Sequence, residues 1–191
     1  MPRMTGDRYF AEAMRGYGVS HLFFVPTIIL PAMAEMEDMG ITRVVTHGEK
    51  AAAYMADGYA RASRRPGFCL AQNIGASNLA AGLRDAYMAC SPVIAITGGP
   101  QPDSRYRNAY QEIEDFSQFD PVTKFNAEVG RVERLPDLLR EAFRVATSGA
   151  PGPVQLADQS RHPVFYRPFQ RPIFVIEGYV ELHPEHGTVI I

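Results

Sequence analysis

Glu49 is the residue whose type and position most clearly suggest chemistry. A β-branched run at residues 41–45 predicts a strand, and a proline-free stretch rich in Ala and Met from residue 49 predicts a helix. Glu49 therefore stands where a strand gives way to a helix, which is where ligands bind in open α/β sheets. Position alone favours a first-turn acid that suits the helix dipole, but it leaves open a catalytic acid/base group facing a cofactor.

The predicted helix after Glu49 is unusual in its small residues. Four polar side chains fall on one stripe, and they are Lys50, Tyr54, Asp57 and Arg61. The remaining positions are mostly Ala, Gly or Met, and small residues around most of a helix imply close packing on several sides. Together with the apolar, proline-rich stretch at the end of the chain, this helix suggests surfaces that need covering, so we expect an oligomer.

A second candidate site follows the strand predicted for residues 67–71. Gly75 would allow the backbone to approach a ligand closely, and Ser77 or Asn78 would cap the helix predicted for residues 79–88. Because this loop also follows a buried strand, we expect it to share a cleft with Glu49.

Other catalytic and binding patterns are weak or absent. The chain has neither the GxGxxG nor the GxxxxGK[ST] motif, and no Ser/His/Asp set is identifiable, so a stand-alone hydrolase using Glu49 as its base would lack a nucleophile. His183 and His186 are separated by a proline and have no further ligands nearby, so we predict no metal site. Cys69 and Cys90 are predicted to be small buried residues in a reducing cytoplasm.

The order of the elements predicts the fold class. The predicted strands cover residues 21–25, 41–45, 67–71, 92–97, 123–126 and 152–156, and the predicted helices cover residues 7–17, 30–39, 79–88, 136–147 and a segment from 49. This alternation predicts an α/β fold: a doubly wound, mainly parallel β-sheet with helices on both faces. We expect one domain over residues 1–160. Residues 161–191 would form a tail or arm rich in proline and aromatic residues, in which the apolar pieces 173–176 and 179–182 either pair or form an arm.

Composition excludes several classes of function. The 191 residues are 46% hydrophobic and 21% charged with a formal net charge of −2, which argues against a nucleic-acid partner. The longest apolar stretch, residues 22–34, is short and interrupted by Pro26 and Pro31, so no membrane span is predicted. The first residues lack the core of a signal peptide, and we expect a cytoplasmic protein.

Several stretches, in order, resemble one enzyme family. Residues 47–61 resemble the glutamate motif of thiamine-diphosphate enzymes of the acetolactate synthase type, and residues 75–79 and 82–87 resemble their glycine-rich loop and helix. Further matches follow at residues 92–98, 110–112, 121–124 and 149–154. The resemblance covers about residues 4 to 157 and keeps order and spacing throughout.

This resemblance implies a pyrimidine-binding domain and roles for particular residues. In the family the glutamate, here Glu49, hydrogen-bonds N1′ of the aminopyrimidine and favours the imino tautomer, whose N4′ removes the thiazolium C2 proton to give the ylid. The cofactor supplies the carbanion chemistry, and the protein supplies positioning and a dry pocket. The residues expected near the cofactor or substrate are Val25, Pro26, Glu49, Gly75, Asn78 and Gln111.

The departures from the family concern the substrate and the second half of the site. Residues 27–29 and Asn73-Ile74 replace small residues and a Gly-Pro pair, which affects the choice of small 2-oxo acid. The family holds Mg²⁺ and the diphosphate on a separate domain with a Gly-Asp-Gly motif, which this sequence lacks. We therefore expect a homo- or hetero-oligomer with a partner that has that domain, acting as a 2-oxo-acid decarboxylase or carboligase. The alternative is a non-catalytic binding or scaffold protein with the same fold.

Overall fold

A computed structural model describes most of the chain. It covers residues 4–26, 29–99, 106–108, 112 and 116–158, together with the backbone of 164–165, 181–182 and 189–190. The strands are β1 Met4–Thr5, β2 His21–Phe24, β3 Thr42–Val45, β4 Gly67–Gln72, β5 Val93–Gly98, β6 Phe125–Val129, β7 Val154–Asp158, β8 Val164–Phe165, β9 Glu181–Leu182 and β10 Val189–Ile190. The α-helices are α1 Gly6–Gly16, α2 Leu30–Glu35, α3 Glu49–Ser63, α4 Ala76–Met88 and α5 Leu135–Thr147.

The main sheet confirms the predicted fold class. It has six strands in the order β3-β2-β4-β5-β7-β6, and every neighbouring pair is parallel. Most parallel neighbours are joined through helices, as crossover connections require. The result is a doubly wound α/β sheet.

Side chains of the central strands alternate between two hydrophobic cores. Ile94 and Ile96 of β5 point into a core formed with α1, α2 and α5. Val93 and Ala95 point into a second core formed with α3 and α4. All six residues of β5 are buried, because helices cover both faces of the sheet. This two-sided burial explains why the central strands read as continuous apolar runs.

Helices α3 and α4 pack closely through small residues, as predicted. A Cβ atom added to Gly82 of α4 would lie 2.6 Å from Cβ of Ala53 and 2.9 Å from the carbonyl oxygen of Lys50. Ala52, Ala53 and Ala56 of α3 are completely buried. The small side chains therefore allow the two helix backbones to approach each other.

Two predicted helix boundaries are wrong. Helix α2 ends at Glu35 rather than at residue 39, because the backbone beyond it continues in tighter i to i+3 turns, such as Glu37 N–H to Ala34 O. Gly40, at φ +70°, ends this segment. Helix α4 begins at Ala76, three residues earlier than predicted, because a 3₁₀ turn at Asn73–Gly75 leads directly into it.

The two cysteines lie in different environments. Cys69 on β4 is completely buried, as predicted, but Cys90 is exposed and the prediction for it is wrong. Cys90 follows the C-terminus of α4 with φ +52°, a left-handed conformation that turns the chain out of the helix.

Two pairs of short strands lie outside the main sheet. β1 pairs antiparallel with β8, and β9 pairs antiparallel with β10. The predicted pairing of residues 173–176 with 179–182 involves residues outside the described ranges, although Glu181–Leu182 does form a strand. In the part of the chain that the structure describes, no helix is long and apolar enough to cross a membrane.

Candidate functional site

The candidate site lies at the point where the strand order reverses. The chain passes from β2 outward to β3 and then crosses back over β2 to reach β4, so a crevice opens between the carboxyl ends of β2 and β4. Val25 and Pro26 directly follow β2, Glu49 follows the turn after β3, and Gly75 follows β4. The sheet therefore brings four of the six predicted site residues to one edge.

The turn before Glu49 is fixed by Thr46. Its backbone N–H donates to the Phe24 carbonyl oxygen at 2.8 Å, and its hydroxyl donates to the Gly48 carbonyl oxygen at 3.0 Å. Gly48 is the N-cap of α3 in an extended conformation, so Glu49 is the first helical residue. Thr46 positions the carboxylate, and sequence reasoning missed this role because a single threonine after a strand has no distinctive pattern.

The half-buried Glu49 carboxylate is held on two sides. Asn78 Nδ2 donates to Glu49 Oε2 at 3.2 Å. The second oxygen, Oε1, faces Gly75, where an added Cβ would overlap Oε1 and lie 2.6 Å from the carboxyl carbon. No other described residue donates a hydrogen bond to Oε1, so the carboxylate can still accept one from a ligand.

Gly75 is required for space rather than for backbone freedom. Its φ of −86° is open to any residue. The sequence predicts that Gly75 lets a ligand approach, but the group that occupies the space beside it is the Glu49 carboxylate. Gly75 thus contributes to the site through Glu49.

Asn78 has a different role from the predicted cap. Helix α4 has Gly75 as its N-cap and no side-chain cap, so the predicted capping by Ser77 or Asn78 is wrong. The preceding 3₁₀ turn already leads the backbone into the helix, and Asn78 lies in the first turn with its amide directed at Glu49. The expected proximity of Gly75 and Asn78 to Glu49 is therefore present, although the cap is not.

The other predicted site residues are Val25, Pro26 and Gln111, of which the structure describes the first two. Val25 is half-buried and Pro26 is exposed, both at the end of β2. Gln111 lies outside the described residues, as do Thr27 and Ile28 of the loop that departs from the family.

A further buried polar residue, Asn73, was not singled out as a site residue. It stands directly after β4, is only 9% exposed, and its carboxamide lies against Gly99 at the end of β5. The available signal was its position between a buried strand and a glycine-rich turn.

The arrangement suits proton exchange with a ligand rather than metal binding. A carboxylate at a helix N-terminus, restrained by one amide donor, can accept a hydrogen bond from a ring nitrogen. Among the described residues there is no group of three or more His, Cys, Asp or Glu side chains that could hold a metal ion.

The sequence matches one family model over most of its length. Residues 4–119 match the model described as thiamine pyrophosphate enzyme, N-terminal TPP binding domain. This match includes β2 to β5, α3 and α4, and therefore every described residue of the cleft.

Relatives of this chain include large subunits of acetolactate synthase. It is 38% identical to the probable acetolactate synthase large subunit of Methanocaldococcus jannaschii over 155 residues, which are 80% of this chain and 26% of the relative. It is also 38% identical to the acetolactate synthase isozyme 2 large subunit of Escherichia coli K12, covering 79% of this chain and 28% of that one. The Haemophilus influenzae large subunit is 30% identical over 99% of this chain and 33% of its own length.

A solved structure shares the fold. The thiamine diphosphate-dependent 4-hydroxybenzoylformate decarboxylase of Rhodococcus jostii RHA1 superposes with a TM-score of 0.73 at 22% identity, over 81% of this chain and 30% of that one. The chain thus spans about a quarter to a third of the length of the proteins it matches. On the family match and these identities, the chain belongs to the thiamine pyrophosphate enzymes and contains their N-terminal TPP binding domain.

Proposed function

We propose that this chain is the pyrimidine-binding part of a thiamine-diphosphate-dependent 2-oxo-acid decarboxylase or carboligase of the acetolactate synthase type. The observation that supports this most is the Glu49 carboxylate, held between Gly75 and Asn78 at the switch point of the sheet. Residues 1–160 would form the pyrimidine-binding domain, and residues 161–191 would form a tail or arm.

The residues present fit the aminopyrimidine end of the cofactor. No described residue donates a hydrogen bond to Glu49 Oε1, so this oxygen can accept one from the cofactor. The space beside it is bounded by Gly75 rather than by a larger side chain. Glu49 would share a proton with a ring nitrogen, because its carboxyl group donates a hydrogen bond when protonated and accepts one when ionised. When bound, thiamine diphosphate supplies carbanion chemistry at its thiazolium ring. Val25, Pro26 and Gln111 would shape the neighbouring walls.

The diphosphate end requires another domain. The described residues contain no cluster suited to Mg²⁺, and the chain spans about a quarter of the length of its first relatives. We infer that a separate domain or subunit holds Mg²⁺ and the diphosphate, and that the working enzyme is an oligomer.

The exposed side of α3 and α4 is a suitable surface for such a partner. A groove of about 580 Å³ runs between the two helices and includes Tyr54 and Met88. Met88 is 77% exposed, and Tyr54, Met55 and Tyr87 are each more than 40% exposed. The groove lies toward the C-terminal ends of these helices, whose first turns contain Glu49 and Asn78, so a partner seated there would have to extend along both helices to reach the cleft.

Replacement of Glu49 by glutamine tests the proposal. With the diphosphate-binding partner, thiamine diphosphate and Mg²⁺ present, we expect Glu49→Gln to reduce 2-oxo-acid turnover by about a hundredfold or more, because the amide cannot hold the proton. Steady-state kinetics with a panel of 2-oxo acids measures this loss. Glu37→Gln, on an exposed turn that leads into the start of β3 at the opposite edge of the sheet, is the matched control. Undiminished turnover in Glu49→Gln would refute the proposed role.

A non-catalytic scaffold remains the competing function. It is favoured by the altered loops, in which residues 27–29 replace small residues and Asn73-Ile74 replaces a Gly-Pro pair. Isothermal titration calorimetry separates the two functions: the scaffold predicts no thiamine diphosphate uptake with any partner, whereas the enzyme predicts stoichiometric uptake.

A further inference from the structure

Helices α3 and α4 face each other in one register, and Asn78 belongs to it. Asn78 Nδ2 donates to Glu49 Oε2 at 3.2 Å. Four residues further along each helix, a Cβ added to Gly82 would lie 2.6 Å from Ala53 Cβ. Residues four apart lie on one face of a helix, one turn after the other. The close packing of Gly82 on Ala53 therefore brings the Asn78 amide within reach of the Glu49 carboxylate.

The two oxygens of the Glu49 carboxylate have different surroundings. Oε2 accepts the hydrogen bond from Asn78, whereas Oε1 faces Gly75 and receives no hydrogen bond from a described residue. Gly75 is the N-cap of α4 and Asn78 lies in its first turn, so the start of one helix bounds both oxygens. Only one of the two oxygens is left for a ligand.

The contact with Asn78 fixes an orientation that Glu49 would not keep by itself. The terminal torsion of a glutamate side chain is broad and roughly two-fold, so a carboxylate without partners can turn either oxygen toward a ligand. An asparagine amide is neutral and has no proton to exchange, but its N–H groups are hydrogen-bond donors. The chemistry of Asn78 thus suits holding the carboxylate rather than taking part in proton exchange.

We propose that Asn78 is a positioning residue that holds Glu49 Oε2, so that Oε1 is the oxygen that shares a proton with the pyrimidine ring nitrogen. This inference rests on the proposed function, and it gives Asn78 a contact with Glu49 in place of one with cofactor or substrate. In the transfer, one O–H bond at Oε1 breaks as one N–H bond forms, and the reverse restores the carboxyl group. The hydrogen bond at Oε2 persists in both states.

The first test replaces Asn78 with leucine, which has a similar shape and no amide. In the assembly with the diphosphate-binding partner, thiamine diphosphate and Mg²⁺, Asn78→Leu should lower kcat about tenfold, because a misplaced carboxylate exchanges its proton less readily. KM for the 2-oxo acid should stay within about twofold. In the Glu49→Gln background the same replacement should change kcat by less than about twofold, because the carboxylate on which Asn78 acts is gone. Ser77→Ala, an exposed change in the same turn, is the matched control.

A second measurement needs no turnover. Isothermal titration calorimetry with thiamine diphosphate should show an affinity about threefold to tenfold weaker for Asn78→Leu than for the wild type, as expected for loss of one hydrogen bond's contribution. In the Glu49→Gln background Asn78→Leu should cause no further loss. Asn78→Ala, which also removes the amide and suits a helix, decides the matter if Asn78→Leu does not fold.

A third variant gives a pH signature that a merely structural role would not produce. Asn78→Asp places a second carboxyl group against Glu49 Oε2. Two neighbouring carboxylates repel each other, but one shared proton restores a hydrogen bond between them as the pH falls. Turnover of Asn78→Asp relative to the wild type should therefore rise about threefold or more between pH 8 and pH 6.

The other titratable groups around Glu49 are the same in both proteins. His47 and Lys50, its neighbours in the chain, are exposed, and the 3₁₀ turn and α4 have no titratable side chain before Arg84. Ser77→Asp adds a carboxylate to the same helical turn without replacing the donor to Glu49. Its turnover relative to the wild type should stay level over this pH range.

The outcomes separate this inference from the proposed function. If the wild-type assembly neither takes up thiamine diphosphate nor turns over any 2-oxo acid, the proposed function fails and this inference fails with it. If the wild type is active and Asn78→Leu leaves kcat unchanged or mainly raises KM, only the inference fails. An equal loss of thiamine diphosphate affinity with and without Glu49→Gln would also overturn it, because Asn78 would then contact the cofactor directly.

Discussion

At the scale of single residues, the cleft depends on contacts that one added carbon atom would remove. Gly75 gives Glu49 its place, and Asn78 restrains the carboxylate from the other side. The motif alone does not predict either contact, because Gly75 is equally consistent with a turn residue and Asn78 is equally consistent with a helix cap. The sequence singled out Glu49 as the candidate catalytic residue, and the structure shows which neighbours hold its carboxylate.

Gly75→Ala should impair the site without unfolding the protein. The new Cβ would displace the Glu49 carboxylate, because the built position lies 2.6 Å from its carboxyl carbon. We expect the assembled enzyme to lose about tenfold to a hundredfold in turnover, a part of what general acid–base catalysis contributes. Gly130→Ala, where the nearest atom is 3.9 Å away, is the control for adding a methyl group. Equal turnover in the two variants would contradict this account.

The two thiols should differ sharply in reactivity. Burial raises the pKa of the Cys69 thiol, so Cys69 is neither accessible nor ionised near neutral pH, whereas Cys90 is exposed. We expect a disulfide reagent at pH 8 to label one thiol per native chain and both after denaturation. Cys90→Ser should abolish the native labelling. Rapid modification of Cys69 in that variant would show that β4 opens readily.

At the scale of elements, the α3–α4 pair positions the site. Both helices begin at the carboxyl edge of the sheet, and Gly82 lets them lie close enough for Asn78 to reach Glu49. Ala-rich helices pack closely when small residues face each other, so the sequence predicts that α3 packs closely against a neighbour. It does not identify which glycine is at the contact.

Gly82 and Gly58 should respond in opposite directions to alanine. Gly82→Ala would place a methyl group 2.6 Å from Ala53 Cβ, and overpacking of this kind costs about 1–3 kcal/mol. Gly58 of α3 has no atom within 4 Å of an added Cβ, so Gly58→Ala should stabilise the chain by roughly 0.5–1 kcal/mol through helix propensity. Urea unfolding followed by circular dichroism at 222 nm measures both. A Gly82→Ala variant as stable as Gly58→Ala would exclude tight packing at position 82.

At the scale of the whole molecule, stability comes from two cores on opposite faces of one sheet. The core formed by α1, α2 and α5 includes the stacked rings of Tyr17 and Phe143, whose centroids are 3.6 Å apart. The Tyr17 hydroxyl is buried and has no hydrogen-bond partner among the described residues. Burial raises the pKa of Tyr17 from its ordinary value of 10.0 to about 12.

This raised pKa predicts a loss of stability in alkali. The folded state favours the protonated phenol, so its contribution is complete below about pH 10 and is lost as the pH rises toward 12. Unfolding free energies from urea titrations between pH 9 and pH 11.5 should therefore fall more steeply in the wild type than in Tyr17→Phe. Identical slopes in the two proteins would show that the Tyr17 phenol does not ionise on unfolding.

Much of the fold follows from local pattern. Continuous apolar runs predict the central strands because parallel strands are buried on both faces, and five helices lie close to their predicted positions. The errors lie where competing hydrogen-bond patterns differ little in energy. Helix α2 gives way to i to i+3 turns after Glu35, and the 3₁₀ turn at Asn73–Gly75 replaces the expected side-chain cap.

By itself, the sequence determined the fold class and the family resemblance and singled out Glu49 as a candidate site residue, because periodicity and ordered motifs depend only on the order of residues along the chain. Only the tertiary structure decided that Gly75 and Asn78 contact Glu49, that Thr46 fixes its turn, and that Asn73 lies over Gly99. These contacts join residues from different strands and helices. Their distances depend on how closely the strands and helices pack, which no local pattern records.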